Sequence, residues 1–372
     1  MALVPESVKK LVKAGLSVAI ERDAGAGSFL DDAAYVEAGA TVAQDPKSSL
    51  AEADLVLRLH PPAPGEVDLL RPGAMLLAPL MPTRNPDLVR RLLERKVTAF
   101  SADTIPRISR AQAMDVLSSM ASIAGYKAVV LAADALPRYF PMLMTAAGTV
   151  LPARVFVIGA GVAGLQAIAT ARRLGAVVEA TDTRPAVKTE IESLGAKYVG
   201  VDTSEEAQDA GGYAKELSQE FYRKQAELIG RHSAAADVVI TTALIGGVIA
   251  PKLITAAMVE KMKPGSVVVD VAAPGGGNCE LTRPGETVEH KGVRILAPLN
   301  LPSEVAFHAS LLYSRNLTAF VLAFWKNGAF QLDLADDILK DATITHDGKV
   351  IHGPTAKALE KSETSEKKGD GR

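Results

Sequence analysis

The sequence has very little cysteine, since Cys279 is the only one in 372 residues. A single thiol cannot form a disulfide within the chain and excludes a cysteine-rich zinc module, which indicates a reducing, intracellular environment. An excess of charge of one sign is also missing, because 41 Lys and Arg stand against 43 Asp and Glu for a net charge of −2. Without a basic excess no field favours a phosphate backbone, so nucleic acid is not an expected partner.

Long hydrophobic runs are absent as well. The longest uncharged stretch, 155–171, is shorter than the roughly 18–20 apolar residues of a spanning helix and contains three glycines. It is better interpreted as a strand followed by a helix. The first residues, MALVPESVKKLVKAGL, have proline and charges where a signal peptide has an apolar run. We expect no secretory or transit segment and no direct insertion into a membrane.

Short apolar runs alternate with amphipathic stretches along the first part of the chain, to about residue 105. This alternation is typical of a parallel sheet with helices on its faces. Proline near the first turn marks the starts of the helices. The expected strands are 16–21, 54–59, 75–78 and 97–100, and the expected helices are 5–13 and 86–96.

A second set of strand and helix signals begins near residue 154. Helical spacing over 107–136 predicts a connector, and the three prolines of 137–152 predict a packed crossover loop. Helices are expected up to 174, over 186–194 and over 302–325, the last returning the chain to the first domain. Six strands with helical connections predict a doubly wound nucleotide-binding domain. They are 155–159, 176–182, 197–201, 237–243, 266–272 and 293–298.

The predicted fold class is therefore α/β, with two Rossmann-like domains that contain parallel sheets. The first domain is discontinuous and comprises 1–117 and 306–372, and the second comprises 118–305. The charged residues from about 360 onwards contain no aromatics and are expected to be a disordered tail.

Residues 159–164 read GAGVAG between an apolar strand and a helix. In a dinucleotide fingerprint the first glycine makes the tight turn, the second lets the backbone approach the pyrophosphate, and the third allows close packing. The next strand ends at Asp182, whose carboxylate suits the adenosine ribose hydroxyls and repels a 2′-phosphate, so NAD is favoured over NADP. Glycines also serve packing alone, and Arg184 leaves room for NADP.

Polar side chains cluster at the expected domain boundary, where the sites of two-domain dehydrogenases lie. Ser109 and Gln112 also match an S-x-x-Q capping box, and Asp115 also suits a simple ion pair on a solvated helix, so both interpretations stay open. Tyr213 follows a glycine pair and fits either a flexible loop or a helix start. The boundary cluster comprises Arg107, Arg110, Gln112 and Asp115.

Several segments resemble one enzyme family over most of the chain, to about residue 325. They are PRISRAQAMDVLSSM, MLMTAAGTVLPARVFVIGAGVAGLQAIATARRLGA, GGYAKELSQEFYRKQAELI, TTALI, MVEKMKPGSVVVD and GGNC. Together they are similar to the NAD(H)-binding alpha-1 subunits of proton-translocating NAD(P) transhydrogenases. The resemblance implies direct hydride transfer between NADH in this chain and NADP(H) in a partner subunit, coupled to proton translocation by a membrane-spanning subunit. It also implies a cytoplasmic homodimer held at the inner membrane by those partners.

The resemblance also implies roles for individual residues. Arg107 and Asp115 form an ion pair beside the nicotinamide, and Gln112 and Ser118 contact its carboxamide or the incoming NADP ribose. Tyr213 lies on a mobile loop that closes over the nucleotide. The expected cofactor-binding residues are Gly159, Gly161, Val162, Gly164, Asp182, Thr183, Arg184, Gly277 and Asn300.

Two other functions are weighed against this one. An alanine dehydrogenase shares the fold, but where it has a substrate-binding lysine, a catalytic histidine and a catalytic aspartate, this chain has His60, Pro79 and Pro274. Proline has no group for acid–base chemistry. The transhydrogenase family also carries an acid at the position of Pro274. The second alternative is a non-catalytic NAD-binding module.

Overall fold

A computed structural model of the chain describes residues 1–201, 218–244 and 250–369, with side chains of the final helix described to residue 362. The chain forms two compact units. The first unit comprises Met1–Met120 and Ala306–Arg372, and the second comprises Ala121–Val305.

The helices often start at proline or at an acidic cap. Pro5 and Pro86 occupy the first turns of their helices, where the missing N–H costs no hydrogen bond. The α-helices are α1 (Pro5–Lys13), α2 (Asp32–Glu37), α3 (Pro46–Glu52), α4 (Pro64–Val67), α5 (Pro86–Glu94), α6 (Val116–Ala135), α7 (Val162–Arg173), α8 (Lys188–Ser193), α9 (Gln219–Ala235), α10 (Ala256–Val259), α11 (Ala306–Phe324), α12 (Asp337–Ala342) and α13 (Gly353–Gly369).

The strands are short, and those of the two main sheets are rich in valine, leucine and isoleucine. They are β1 (Ala19–Glu21), β2 (Thr41–Ala43), β3 (Leu55–Leu57), β4 (Met75–Ala78), β5 (Thr98–Ser101), β6 (Leu143–Thr145), β7 (Gly148–Val150), β8 (Arg154–Ile158), β9 (Val177–Thr181), β10 (Lys197–Tyr198), β11 (Val238–Thr241), β12 (Val267–Asp270), β13 (Thr287–His290), β14 (Val293–Leu296), β15 (Trp325–Lys326), β16 (Ala329–Phe330), β17 (Thr343–His346) and β18 (Lys349–Val350).

The second unit contains a sheet of order β10-β9-β8-β11-β12-β14-β13. All neighbouring strands in it are parallel except the β13–β14 pair at one edge. The chain moves outward from β8 to β10 and then crosses back to β11, so the strand order reverses beside β8. Ile158 is in register with both Thr181 and Thr241, and the carboxyl ends of three strands therefore meet at one edge. A crevice at such a reversal is where open α/β sheets bind ligands.

The first unit contains a sheet of order β18-β17-β5-β4-β3. Strands β3, β4 and β5 are parallel to one another, whereas β17 is antiparallel to both of its neighbours, β5 and β18. Helix α11 covers this sheet, with the rings of Phe100 and Phe320 centred 5.4 Å apart. The expected α/β class with parallel sheets is confirmed, and the antiparallel strands are added at the edges.

Three local predictions differ from the structure. The segment 137–152 is more than a crossover loop, because β6 and β7 form a hairpin in which Leu143 pairs with Val150. Strands of three residues are too short for their alternation to be recognised in a sequence. The predicted helices 107–136 and 302–325 each begin instead with a 3₁₀ helix, Ser109–Met114 and Leu301–Val305.

Helix α13 continues to Gly369, into the segment that the sequence analysis expects from about 360 to be a disordered tail. The sequence of α13, GPTAKALEKSETSEKKG, is rich in lysine and glutamate, which have high helix propensity. Low hydrophobicity predicts a lack of packing and does not by itself prevent a helix.

Helix α6 is long and apolar enough to span a membrane by length and composition, the one such helix in the described part of the chain. Its Ala128, Val129 and Ala132 are fully buried in the core of the second unit. Its Lys127 forms an ion pair of 3.2 Å with Glu304. These contacts are those of a core helix in a globular unit.

Candidate functional site

A glycine-rich turn joins β8 to α7 in the second unit. Gly159 has a φ of +94°, a left-handed conformation that glycine adopts without strain. A Cβ on Gly164 would overlap the carbonyl oxygen of Gly159, whereas a Cβ on Gly161 would meet nothing within 4 Å. The first and third glycines therefore shape the turn, and the second leaves open space beside the backbone. A dinucleotide pyrophosphate needs that combination.

Helix α7 begins at Val162, immediately after this open backbone. The N–H groups of its first turn lack partners within the helix and favour an anion. Val162 is 40% exposed, so a ligand can reach this end of the helix.

Two residues that the sequence analysis missed hold the turn in place. The Thr242 hydroxyl, just beyond β11, donates to the Gly159 carbonyl at 3.1 Å. Gly125 of α6 lies so close to α7 that a Cβ there would overlap the Ala163 carbonyl oxygen. An isolated glycine in a helical pattern is the signal that marked Gly125. Nothing in the sequence indicates which helix it approaches.

The carboxylate of Asp182 lies beside the turn at the end of β9. It accepts a hydrogen bond from the Ala160 N–H at 2.7 Å, so the acid and the glycine-rich turn are directly connected. It also accepts from the backbone and side chain of Arg184 at 2.9–3.1 Å. The side-chain hydrogen bond to Asp182 raises the pKa of the Arg184 guanidinium. Thr183 is half-buried between these two residues.

A third loop at the same sheet edge is organised by the buried Asp270. Its carboxylate accepts from the Thr241 hydroxyl at 2.9 Å, from the Cys279 N–H at 3.0 Å and from the Thr282 hydroxyl at 2.5 Å. Gly277 has a φ of +80°, and a Cβ there would lie 2.7 Å from an Asp270 oxygen. The structure thus places Gly277 in a tightly packed loop.

Asn278 connects that loop to the one after β11. Its amide donates to the carbonyls of Ala243 and Pro251, both at 2.8 Å, and accepts from the Ala243 N–H at 3.0 Å. The predicted cofactor residue Asn300 caps the 3₁₀ helix Leu301–Val305, where it accepts from the Ser303 N–H at 3.3 Å.

The residues of the boundary cluster lie in one segment of the first unit, which we call the boundary segment. Asp115 caps α6, accepting from the Ser118 N–H at 2.8 Å and from the Ser118 hydroxyl at 2.6 Å. Arg107 is exposed and forms no ion pair with any residue the structure describes, so the expected Arg107–Asp115 pair is not formed. The reason is local: the first turn of α6 has free N–H groups that direct the Asp115 carboxylate toward Ser118.

The capping-box interpretation of this segment is wrong. Ser109 is the first residue of the 3₁₀ helix, which begins after Ile108 without a side-chain cap. Gln112 is exposed, and its amide makes no hydrogen bond within the described ranges. Arg110 forms a bidentate pair with Asp336 at 2.7 and 2.8 Å. Gln112 is therefore left free for an outside partner, whereas Arg110 is engaged.

Tyr213 lies outside the described residues, so its expected place on a closing loop stays a prediction.

Comparisons with known proteins agree on one family. Residues 1–124 match Alanine dehydrogenase/PNT, N-terminal domain, and residues 128–353 match Alanine dehydrogenase/PNT, C-terminal domain. An NAD(P) transhydrogenase alpha subunit of Rhodospirillum rubrum is 48% identical over 361 residues, covering 95% of this chain and 94% of that protein.

Two solved structures are also similar. The transhydrogenase of Sinorhizobium meliloti is 45% identical with a TM-score of 0.85, covering 94% of this chain and 95% of that one. An L-alanine dehydrogenase is 28% identical with a TM-score of 0.81, covering 97% and 95%.

Proposed function

Because this chain belongs to the alanine dehydrogenase/PNT family, we propose that it is the NAD(H)-binding component of a proton-translocating NAD(P) transhydrogenase. The observation that carries the proposal is the glycine-rich turn bonded to Asp182 at the reversal of a doubly wound sheet. The similarity to a transhydrogenase alpha subunit over 95% of the chain supports the choice within the family.

NAD(H) fits this site by its chemistry. The open backbone at Gly161 and the start of α7 suit the pyrophosphate, and the Asp182 carboxylate suits the adenosine ribose. The remaining proposed cofactor contacts are Val162, Thr183 and Arg184 around the turn, and Gly277 and Asn300 in the loops beyond it.

Hydride passes directly between two nicotinamide C4 atoms in such a reaction, so the protein needs no acid or base and contributes orientation. We assign that orientation to the boundary segment. The exposed Gln112 amide offers both donors and an acceptor to the two nucleotides, and Arg107 presents a guanidinium that pairs with no carboxylate of the described residues. Asp115 and Ser118 fix the start of α6 behind them. Tyr213 is proposed to close over the bound nucleotide.

The proposed partners are an NADP(H)-binding subunit and a membrane-spanning subunit that translocates protons. They would hold this chain at the cytoplasmic side of the inner membrane. A homodimer is supported by apolar side chains exposed around the β6–β7 hairpin, where Met144 and Leu151 are each 78% exposed. Light scattering of the wild-type chain and of a Met144→Asp, Leu151→Asp variant tests this, with a monomeric wild type contradicting it.

Isotope transfer tests the function directly. NADH deuterated at the transferable C4 position is mixed with NADP, this chain, and membranes containing the two partner subunits. We expect deuterated NADPH, detected by mass spectrometry, and none when this chain is omitted. Tight NADH binding without deuterium transfer in the full complex would favour a non-catalytic NAD-binding module.

Alanine dehydrogenase activity is the other candidate, because of the 28% identity to an L-alanine dehydrogenase structure. Pro274 lies in the 3₁₀ helix Ala273–Gly275, and its ring offers no proton-transfer group. We predict no NAD-dependent oxidation of L-alanine above a heat-killed control, measured by absorbance of NADH. Turnover above that control would reverse the choice between the two functions.

A further inference from the structure

Every acceptor position of the Asp182 carboxylate is occupied. One oxygen accepts from the Arg184 N–H at 2.9 Å and from Arg184 Nε at 3.0 Å. The other accepts from the Ala160 N–H at 2.7 Å and from Arg184 Nη2 at 3.1 Å. A carboxylate has about four lone-pair positions, so none is left for a ribose hydroxyl. The side chain of Asp182 is only 8% exposed, which keeps water from exchanging freely with these donors.

The four donors differ in their freedom to leave. The N–H groups of Ala160 and Arg184 belong to the backbone of the glycine-rich turn and of the segment after β9. The other two hydrogen bonds come from the Arg184 guanidinium, whose side chain is 26% exposed and ends a flexible stem. Only these two can be released without moving the backbone.

We propose that Arg184 is a specificity-determining residue that competes with the adenosine ribose for Asp182 and leaves the carboxylate when the nucleotide binds. This inference rests on the proposed NAD(H) site. Each ribose hydroxyl that donates to Asp182 takes an acceptor position from the guanidinium. The new hydrogen bonds are therefore offset by the loss of charge-assisted ones.

The Asp182–Arg184 pair also changes how strongly the site discriminates against the 2′-phosphate of NADPH. While Arg184 is bound to Asp182, its charge compensates the carboxylate that repels the phosphate. Once displaced, the guanidinium remains on the same short segment and is a good phosphate partner. Arg184 thus weakens the binding of NADH and strengthens the binding of NADPH. The preference of the site for NADH is therefore smaller than it would be if Asp182 had no arginine partner.

Removing the competitor tests this. Arg184→Gln is expected to bind NADH at least threefold more tightly than the wild type, and NADPH at least threefold more weakly, by equilibrium dialysis. Arg173→Gln removes the same charge from an exposed position on α7 and is expected to leave both constants within twofold. Equal or weaker NADH binding by Arg184→Gln overturns the proposal.

A second readout is insensitive to a merely structural role. The penalty for removing the 2′-hydroxyl is the ratio of the dissociation constants of 2′-deoxy-ADP and ADP. In the wild type this penalty is small, because losing the hydroxyl lets Arg184 stay in place. We expect it to grow at least threefold in Arg184→Gln, and an unchanged or smaller ratio contradicts displacement.

Arg184→Lys covers the case in which the glutamine variant does not fold, as judged by its Tm. Lysine keeps the charge but cannot donate in a bidentate manner, so NADH binding is expected to be tighter than in the wild type, and binding as weak as in the wild type overturns the proposal. Gly161→Ala separates the two proposals, because its methyl group occupies the open space proposed for the pyrophosphate and leaves the Asp182–Arg184 pair in place. If it does not weaken NADH binding, the proposed nucleotide site fails; if it does while Arg184→Gln has no effect, only the competition fails.

Discussion

Gln112 and Asp115 lie three residues apart, but only the Asp115 side chain forms hydrogen bonds within the described residues. Asp115 is committed to the N-terminus of α6, whereas the Gln112 amide faces solvent without a partner in the described ranges. The backbone of the 3₁₀ helix beneath Gln112 is fixed from another element, since Asn316 of α11 donates to the Ala113 carbonyl at 2.8 Å. A free side chain on a fixed backbone suits contact with a ligand better than a structural role.

Gln112→Asn is predicted to keep NADH affinity within a few fold, because the proposed anchors are the pyrophosphate turn and Asp182. Shortening the side chain moves the amide by about one methylene, and such a misplacement can slow hydride transfer by up to ~10²-fold. We expect stopped-flow hydride transfer in the reconstituted complex to slow by at least tenfold.

Ser109→Ala is the matched control for this variant, because Ser109 is exposed on the same 3₁₀ helix. It should change neither the hydride-transfer rate nor the Tm. A Gln112→Asn protein that transfers hydride at the wild-type rate but melts earlier gives Gln112 a structural role.

The glycine-rich turn and the acid beside it were easier to predict from the sequence than the pairing of side chains. The spacing of 159–164 and Asp182 in the sequence was sufficient to locate the turn and the acid, because both follow from local chain geometry. The partners of Arg110 and Asp115 were not predictable: Asp336 is 226 residues from Arg110, and Ser118 is one of several nearby polar groups. Side-chain pairing depends on which segments the fold brings together.

At the scale of elements, the β8–α7 turn separates two functions of glycine. Gly164 has no room for a side chain, whereas Gly161 has open space and a φ of −76°, which alanine adopts readily. Alanine at position 164 therefore tests the packing of the turn, whereas alanine at position 161 tests the space left for a ligand.

Gly164→Ala is predicted to lower the free energy of unfolding of the second unit by about 1–3 kcal/mol, the usual range for overpacking. Gly161→Ala should leave the Tm within about 2 °C, but its methyl group occupies the space proposed for the pyrophosphate, so NADH binding should weaken at least tenfold. Differential scanning calorimetry and equilibrium dialysis measure the two effects. Equal losses of Tm in both variants would contradict the assignment of Gly161 to the ligand.

Element boundaries were predictable where strong local signals exist. Helix α1 and strand β4 have the predicted bounds, because a proline start and a compact apolar run define them. The β6–β7 hairpin escaped because its pairing adds only three residues per strand. The close approach of Gly125 to Ala163 escaped because helix packing is a tertiary property.

At the scale of the whole molecule, carboxylates paired with arginine or lysine link the stability of the fold to pH. Hydrogen bonds from Arg315 of α11 and Lys10 of α1 lower the pKa of Glu6 to about 2. Its ordinary value is 4.5. The stabilisation is therefore fully present above pH 4.5 and is lost as the pH falls toward 2.

Glu6→Gln is predicted to lower the free energy of unfolding at pH 7 by less than about 1 kcal/mol, because the pair is exposed to solvent. The difference from the wild type should shrink below pH 4.5 and vanish near pH 2. Urea titrations across this range measure it. Glu37→Gln is the control, since Glu37 lies 4.0 Å from Lys9 and is 82% exposed; an equal, pH-dependent loss there would remove the special role of Glu6.

The loop organised by Asp270 also contains the only thiol of the sequence. Cys279 is fully buried, and burial raises the pKa of its thiol, so a disulfide reagent reaches a reactive thiolate only after the loop opens. The rate at which the reagent labels Cys279 in the unmodified protein therefore measures how often the loop organised by Asp270 opens. We expect it to be at least about a hundredfold slower than in guanidine-unfolded protein, and slower again with NADH. A native rate equal to the unfolded one would mean that the loop is open in solution.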